Sequence, residues 1–152
     1  MRKLVVLVGL FLVGGLAFAA TPGKLLIWAD ETRAPVFREV GEAYTEKTGI
    51  PVEVVEIPFG QLRDQFVTAA PTGEGPDIMI GPHDWVGELV ASGLLAEILL
   101  PPELAAQFDS VSLEAFTYGK LYGLPYIREG VGLLYNKKLV PQVPATFEEL
   151  VE

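Results

Sequence analysis

Apolar and polar positions change their spacing along the chain in a way that predicts alternating strands and helices. Short apolar or alternating runs occupy residues 24–29 (KLLIWA), 52–57 (VEVVEI) and 78–80 (IMI), and each run is typical of a strand. Between these runs, residues 35–47 and 61–70 carry apolar side chains at helical spacing. Strands that alternate with helices predict an α/β fold, with a mostly parallel sheet flanked by helices.

The same pattern predicts which side chains face the sheet. The predicted packing faces consist of Val36, Phe37, Val40 and Tyr44 on the first helix and of Leu62, Phe66 and Ala69 on the second. Gly49 is a typical end of the first helix. Residues 52–57 mix Val with Glu, which predicts a strand near a sheet edge. Residues 78–80 are wholly apolar and lie between Gly-Pro pairs, which predicts a strand that is buried on both faces.

After residue 95 the pattern is less regular. Apolar residues at Val86, Leu89 and Val90 predict a helix before this point. Beyond it we predict short helices at 101–108 and 112–116, a hairpin at 116–124 that turns at Gly119 and Lys120, a strand at 131–135 (VGLLY), and a helical turn at 137–140. No internal repeat interrupts this order.

The last residues have the signature of a helix start. Thr146 is a suitable N-cap, and Glu149 would complete a capping box. The sequence stops within the second turn, and a helix this short is marginal in water. We therefore expect a C-terminally truncated fragment.

Residues 1–20 have the features of a secretory signal peptide. Arg2 and Lys3 precede an apolar run at residues 4–16, and Ala17-Phe18-Ala19 fits a cleavage site. The apolar run is too short to favour a transmembrane helix. The chain contains no Cys, so we expect neither disulfides nor lipidation. The predicted location is the periplasm, without a membrane anchor.

The excess of acidic side chains and the scarcity of His and Cys exclude several classes of partner. Without Arg2 and Lys3 the chain keeps 9 basic against 20 acidic side chains, a net charge of −11. This balance argues against nucleic acid and anionic membranes as partners. His83 is the single His, and no Cys accompanies it, so we predict neither a metal site nor a cofactor.

Polar and aromatic side chains follow the predicted strands. They are Asp30, Glu31 and Arg33 after the first strand, Asp84 and Trp85 after the third, and Glu129 before residues 131–135. Ligands of open α/β sheets bind at the carboxyl ends of the strands. Carboxylates accept hydrogen bonds from hydroxyls and an aromatic ring offers a flat apolar face, which together suit a sugar. The alternative is that the acids are only solvated and Trp85 packs a helix, as Trp28 is expected to pack the core.

The segments GPDI, HDWVGEL and SGLLAEI resemble the first lobe of the maltose/maltodextrin-binding proteins of ABC importers. The resemblance extends over residues 23–150 and implies a periplasmic-binding-protein-like lobe, with residues 21–152 as the N-terminal lobe and a second lobe absent. It also implies that Asp84 in the HD turn, Glu129 in the stretch Pro125-x-x-x-Glu129, and the loop with Glu31 and Arg33 reach sugar hydroxyls. Several family members have an acid followed directly by Lys in that loop, whereas Thr32 follows Glu31 here.

The function implied by the resemblance is capture of maltose or maltodextrin-type α-glucosides by hinge closure of two lobes, and delivery to the membrane permease of an ABC importer. A protein of this kind is not an enzyme. One alternative is a glycosidase that uses two of Asp84, Glu129 and Glu31. Another is a sensor or scaffold lobe that does not transport. The sequence leaves open which sugar and which chain length would bind.

Overall fold

A computed structural model describes residues 23–140 and 142–151 of the chain. The predicted signal peptide, residues 1–20, lies outside the described residues. The strands are β1 (Leu25–Ala29), β2 (Val52–Glu56), β3 (Ile78–Met79), β4 (Thr117–Tyr118) and β5 (Lys120–Leu121). The helices are α1 (Ala34–Thr48), α2 (Phe59–Ala69), α3 (Val86–Ala91), α4 (Pro102–Ala105), α5 (Ser110–Glu114) and α6 (Phe147–Val151). Two 3-10 turns cover Ala70–Thr72 and His83–Trp85. In the described part of the chain, no helix combines the length and apolarity that a membrane span requires.

The main sheet is parallel and has the strand order β2-β1-β3. Leu25 of β1 lies opposite Val52 of β2, and Ile27 of β1 lies opposite Ile78 of β3. The parallel α/β architecture and the edge position of β2 are therefore confirmed. All three strands end at the same side of the sheet, which we call the carboxyl edge; Asp30, Ile57 and Ile80 are the first residues beyond the strands there.

Side chains of β1 alternate between two apolar layers, because successive residues of a strand point to opposite faces. Leu26 and Trp28 are buried on one face with Leu62 and Phe66 of α2 and Leu89 of α3. Ile27 and Ala29 are buried on the other face with Ala34 of α1 and with Ile80. The prediction that Trp28 belongs to the core is confirmed.

The face that α1 presents to the sheet differs from the predicted one. Val36 and Val40 are 59% and 56% exposed, and Tyr44 is also exposed, so these three assignments are wrong. Ala34 and Gly41 are buried instead, with Phe37 half-buried between them. A Cβ at Gly41 would lie 2.8 Å from Cγ1 of Val52, so the helix approaches the sheet through its small residues.

Other helical predictions hold. Gly49 ends α1 with a φ of 75°, and its N–H donates to the carbonyl of Thr45. On α2, Leu62 and Phe66 are buried and Ala69 is half-buried. On α3, Val86 and Leu89 are buried.

The prediction that residues 78–80 are buried on both faces is wrong for Ile78, which is 43% exposed. Met79 is half-buried and Ile80 is buried. Within the described residues, β3 has a neighbouring strand on one side only, and this leaves its outer side open.

The region after residue 95 contains short elements near the predicted places. The hairpin is confirmed, with β4 and β5 antiparallel around Gly119, whose φ is 73°. The helix α5 begins earlier than predicted because the Asp109 side chain accepts the N–H of Val111 and caps it. The N–H groups of Leu139 and Val140 both donate to the carbonyl of Asn136, which confirms the helical turn.

The strand predicted at 131–135 is wrong. These residues have no regular structure, and Val131 and Leu134 are almost fully exposed. An apolar strand needs a neighbour for its backbone groups, and none of the described strands lies beside this segment. The N-cap of α6 is confirmed, because Thr146 Oγ1 accepts the N–H of Glu149 at 3.3 Å. Glu149 returns a bond to the N–H of Ala145, one residue before the predicted one.

Candidate functional site

The loop between β1 and α1 is organised around Asp30, whose side chain is buried. Asp30 is 2% exposed. Its Oδ1 accepts the backbone N–H groups of Thr32 at 2.8 Å and of Arg33 at 3.1 Å. Its Oδ2 accepts Nη1 of Arg33 at 3.0 Å. The structure therefore places Asp30 as the residue that holds this loop and the Arg33 side chain, with its own carboxylate turned away from solvent.

Arg33 connects this loop to a distant part of the chain. Its Nε donates to the hydroxyl of Tyr126 at 2.7 Å, and Nη2 lies 3.7 Å from Oε1 of Glu129. The hydrogen bond to Tyr126, supported by Asp30, raises the pKa of Arg33, so the guanidinium stays charged at every pH of interest. Asp30, Arg33, Tyr126 and Glu129 form what we call the arginine cluster.

Tyr126 was not among the residues predicted for the site. Besides its bond to Arg33, it packs edge-on against Phe37 of α1, with ring centroids 5.4 Å apart. The sequence signal for Tyr126 is its position in the Pro125–Glu129 stretch, of which only Glu129 is among the predicted site residues. The structure adds Tyr126 as the residue that fixes this stretch beside the first loop.

Glu31 lies at the start of α2. Its Oε2 accepts the backbone N–H of Phe59, the first residue of that helix, at 2.9 Å. The first N–H groups of a helix have no partner within the helix, and a carboxylate there also complements the helix dipole. Glu31 therefore joins the loop after β1 to the helix after β2.

Phe59 and Trp85 form a stacked aromatic pair at the same edge. Their ring centroids are 5.4 Å apart and their planes are inclined by 29°. Trp85 is half-buried. A Cβ added to Gly81 would lie 2.9 Å from the Cε3 and Cζ3 atoms of Trp85, so the indole lies close to Gly81. Phe59 is more accessible, at 46% exposure, and it is a second residue that the sequence analysis missed.

Asp84 lies beside Trp85 in the 3-10 turn after β3 and is exposed. Within the described residues its carboxylate accepts no protein hydrogen bond. His83, the preceding residue, is exposed, and its ring lies T-shaped to Phe116 with the ring centroids 6.3 Å apart. The described part of the chain has no group of three His, Cys, Asp or Glu side chains arranged to hold a metal ion.

The six predicted site residues therefore fall into three places at the carboxyl edge. Asp30, Arg33 and Glu129 come together in the arginine cluster. Glu31 lies at the backbone of Phe59, whose ring stacks on Trp85. Asp84 is in the same turn as Trp85 but has no contact with the arginine cluster among the described hydrogen bonds and ion pairs. Acceptors, a fixed cation and an apolar ring thus share one edge of the sheet.

A separate groove of about 750 Å³ runs between β2 and α2. Trp28 lies at this groove, and its buried Nε1 has no hydrogen-bond partner among the described residues. The groove wall includes Glu56, Gln61 and Asp64. None of the six predicted site residues lines it, so the groove is distinct from the carboxyl-edge site.

Several known proteins are similar to this chain. The chain is 36% identical over 135 residues to the maltotriose-binding protein of Pyrococcus abyssi, a match that covers 86% of this chain and 30% of the relative. It is 30% identical to the galactooligosaccharide-binding protein of Bacillus subtilis, with 83% of this chain and 31% of the relative covered. Among solved structures, a cyclo/maltodextrin-binding protein complexed with maltotetraose superimposes with a TM-score of 0.71 at 42% identity, covering 87% of this chain and 35% of that one.

The chain thus spans about a third of the length of the relatives that it matches. The fold of the described part is that of a periplasmic-binding-protein-like lobe. The family model described as bacterial extracellular solute-binding protein matches residues 28–152, which is most of the sequence and includes the whole carboxyl-edge site. The chain belongs to the family of bacterial extracellular solute-binding proteins.

Proposed function

We propose that this chain is the first lobe of a two-lobed solute-binding protein that captures maltodextrin-type oligosaccharides for an ABC importer. Residues 1–20 would be its signal peptide, residues 21–152 the lobe, and a second lobe would belong to a longer chain. The observation that carries the proposal is the arrangement at the carboxyl edge, where Arg33, Glu129 and Asp84 are available to hydroxyls next to an aromatic pair. Relatives that are named for maltotriose and maltodextrin binding support the choice of sugar.

The geometry between Arg33 and Glu129 suits a hydroxyl group. Their nitrogen and oxygen are 3.7 Å apart, which is longer than a good hydrogen bond, so both groups keep unused capacity. A hydroxyl can donate to the carboxylate and accept from the guanidinium at the same time. Such charge-assisted bonds are roughly twice as strong as neutral ones. In this proposal Glu129 and Arg33 bind one sugar hydroxyl group and Asp84 binds another.

The other two acids have a supporting part in the proposal. Asp30 acts through Arg33, which it holds from inside the protein. Glu31 acts through the N-terminus of α2 and thereby through Phe59. Arg33 and Glu129 are partly exposed, as is needed for a ligand that is bound between two closing lobes.

The glycosidase alternative is less well supported. A retaining or inverting glycosidase needs one protonated carboxylic acid beside a second carboxylate. Glu31 accepts the backbone N–H of Phe59 and Glu129 lies against Arg33, so these two carboxylates have different partners in different parts of the carboxyl edge. The chain's relatives are binding proteins, which also points away from an enzyme.

The family description gives an extracytoplasmic location. We place the mature protein more narrowly in the periplasm, with the permease of an ABC importer as its membrane partner. The 152 residues hold no Cys, which supports a form that carries no lipid on this stretch.

Calorimetric titration of the two-lobed protein tests the sugar assignment. Maltose, maltotriose and maltotetraose should bind and give heat, whereas cellobiose and a β-linked galactooligosaccharide should not. The galactooligosaccharide is the critical comparison, because a relative is named for it. Binding of that sugar without any binding of the α-glucans would overturn the proposal.

A further inference from the structure

We infer that Phe59, rather than Trp85, supplies the main stacking face for a sugar ring, and that Trp85 supports it from behind. The inference rests on the proposed function and names the residue and the part of the ligand involved, the apolar C–H face of one pyranose ring. Sequence reasoning pointed to Trp85 alone, because Trp85 directly follows a strand end. The packing of the two rings reverses their roles.

Trp85 is half-buried and leaves a smaller fraction of its surface to solvent than Phe59 does. Phe59 covers one part of it in the stacked arrangement, at a centroid distance of 5.4 Å. The six-membered part of the indole lies against the Gly81 backbone, and further contacts join it to the apolar core that contains Leu62 and Leu89. Phe59, in contrast, leaves 46% of its surface to solvent. The accessible aromatic face of this pair therefore belongs to Phe59.

The backbone of Phe59 is held in place at the start of α2. The preceding Pro58 has a restricted φ, and the Phe59 N–H donates to the Glu31 carboxylate at 2.9 Å. The ring is thus fixed by backbone and by stacking before any ligand arrives. A ring that is already ordered loses little conformational entropy on binding, which favours its use as a ligand contact.

The surroundings explain why the exposed ring suits a sugar. Single exposed apolar residues are common and by themselves indicate nothing. Here the ring lies at the carboxyl edge, one hydrogen bond away from the loop that carries Arg33 and in contact with the turn that carries Asp84. A pyranose has an apolar C–H face and a rim of hydroxyls. Phe59 can cover the face while the charged groups bind the rim.

The test compares Phe59→Leu with Phe59→Tyr in the two-lobed protein, with calorimetric titration of maltotriose. Leu keeps an apolar side chain and removes the ring, so the affinity should fall about three- to tenfold. Tyr keeps the ring and should stay within about twofold of the parent. Tyr44→Leu is the matched control, because Tyr44 is an exposed aromatic on the outer surface of α1, and it should leave the affinity unchanged.

A second measurement separates ligand contact from mere support of the fold. Intermolecular NOEs between Phe59 ring protons and sugar ring protons should appear on saturation with maltotriose. Unchanged affinity in Phe59→Leu, or NOEs from Trp85 without any from Phe59, would overturn the inference and leave the proposed function intact. Absence of α-glucan binding in the parent protein would instead refute the proposed function itself.

Discussion

Arg33 and Tyr126 are 93 residues apart in the sequence, and the Nε of one donates to the hydroxyl of the other at 2.7 Å. Tyr126 belongs to a stretch that has no regular secondary structure. This bond, the edge-on contact with Phe37 and the ion pair of Arg128 with Asp109 hold the stretch in place. Glu129, three residues later, reaches Arg33 from the same stretch. The site therefore depends on a contact between the first loop and a segment that sequence periodicity does not describe.

Tyr126→Phe should weaken the arginine cluster without removing the packing on Phe37. Loss of one hydrogen bond to a charged group should lower the unfolding free energy by about 1 kcal/mol, and the looser Glu129 should lower sugar affinity by roughly three- to tenfold. Urea unfolding and calorimetry measure the two effects. Tyr135→Phe is the control, because Tyr135 is exposed and its hydroxyl makes no described side-chain hydrogen bond. Equal affinity in both variants would contradict the role given to Tyr126.

Asp84→Ala should reduce the affinity of the two-lobed protein for maltodextrin by about tenfold or more, because it removes a hydrogen-bond acceptor from the cleft that would close around the sugar. Stability should hardly change, since Asp84 is exposed and unbonded among the described residues. Glu88→Ala is matched to it: Glu88 is an exposed acid on α3, four residues along, that pairs with Arg63 at 3.4 Å. If Glu88→Ala lost affinity and Asp84→Ala did not, the cleft would be placed on the wrong surface.

The strands and helices of the first seventy described residues follow from local periodicity, but the choice of packing face does not. Two faces of α1 could pack against the sheet. One carries the large residues Val36 and Val40, and the other carries the small residues Ala34 and Gly41. Hydrophobicity alone selects the large ones. The observed face uses the small ones, because only they let the helix approach Val52 closely.

The site shows a similar limit. The sequence correctly predicted that Asp30, Arg33 and Asp84 lie at the carboxyl edge. Each of them follows a strand, and the carboxyl ends of parallel strands lie at the same edge of a sheet. The sequence did not show that Asp30 turns inward, because this depends on the N–H groups of its own loop. Phe59 and Tyr126 reach the site from distant segments, and a single sequence does not contain those pairings.

Asp30 gives a prediction that concerns stability first. Asp30→Ala would leave the N–H of Thr32 without its acceptor and would remove the buried partner of the Arg33 guanidinium, while the Arg33 N–H keeps its bond to the backbone carbonyl of residue 30. We expect a loss of about 2–4 kcal/mol in unfolding free energy, reduced from the range for fully buried pairs because Arg33 is one-third exposed. Asp30→Asn keeps the Oδ1 acceptor and should lose less than half of that. Asp64→Ala, on the exposed surface, should change the stability by under about 0.5 kcal/mol. The denaturant midpoints of the three variants measure these changes in stability. Equal midpoints for Asp30→Ala and Asp64→Ala would refute the structural role of Asp30.

Two glycines in helices should respond in opposite directions to the same substitution. In Gly41→Ala the new methyl would lie 2.8 Å from Val52 Cγ1, and overpacking of this kind should cost about 1–3 kcal/mol. Gly60 lies in α2 with nothing within 4 Å of its would-be Cβ. Gly60→Ala should therefore stabilise the protein by about 0.5–1 kcal/mol, because Ala loses less backbone entropy in a helix. Thermal unfolding of both variants under one condition measures the difference. A Gly41→Ala variant as stable as the parent would show that α1 does not pack on β2 through Gly41.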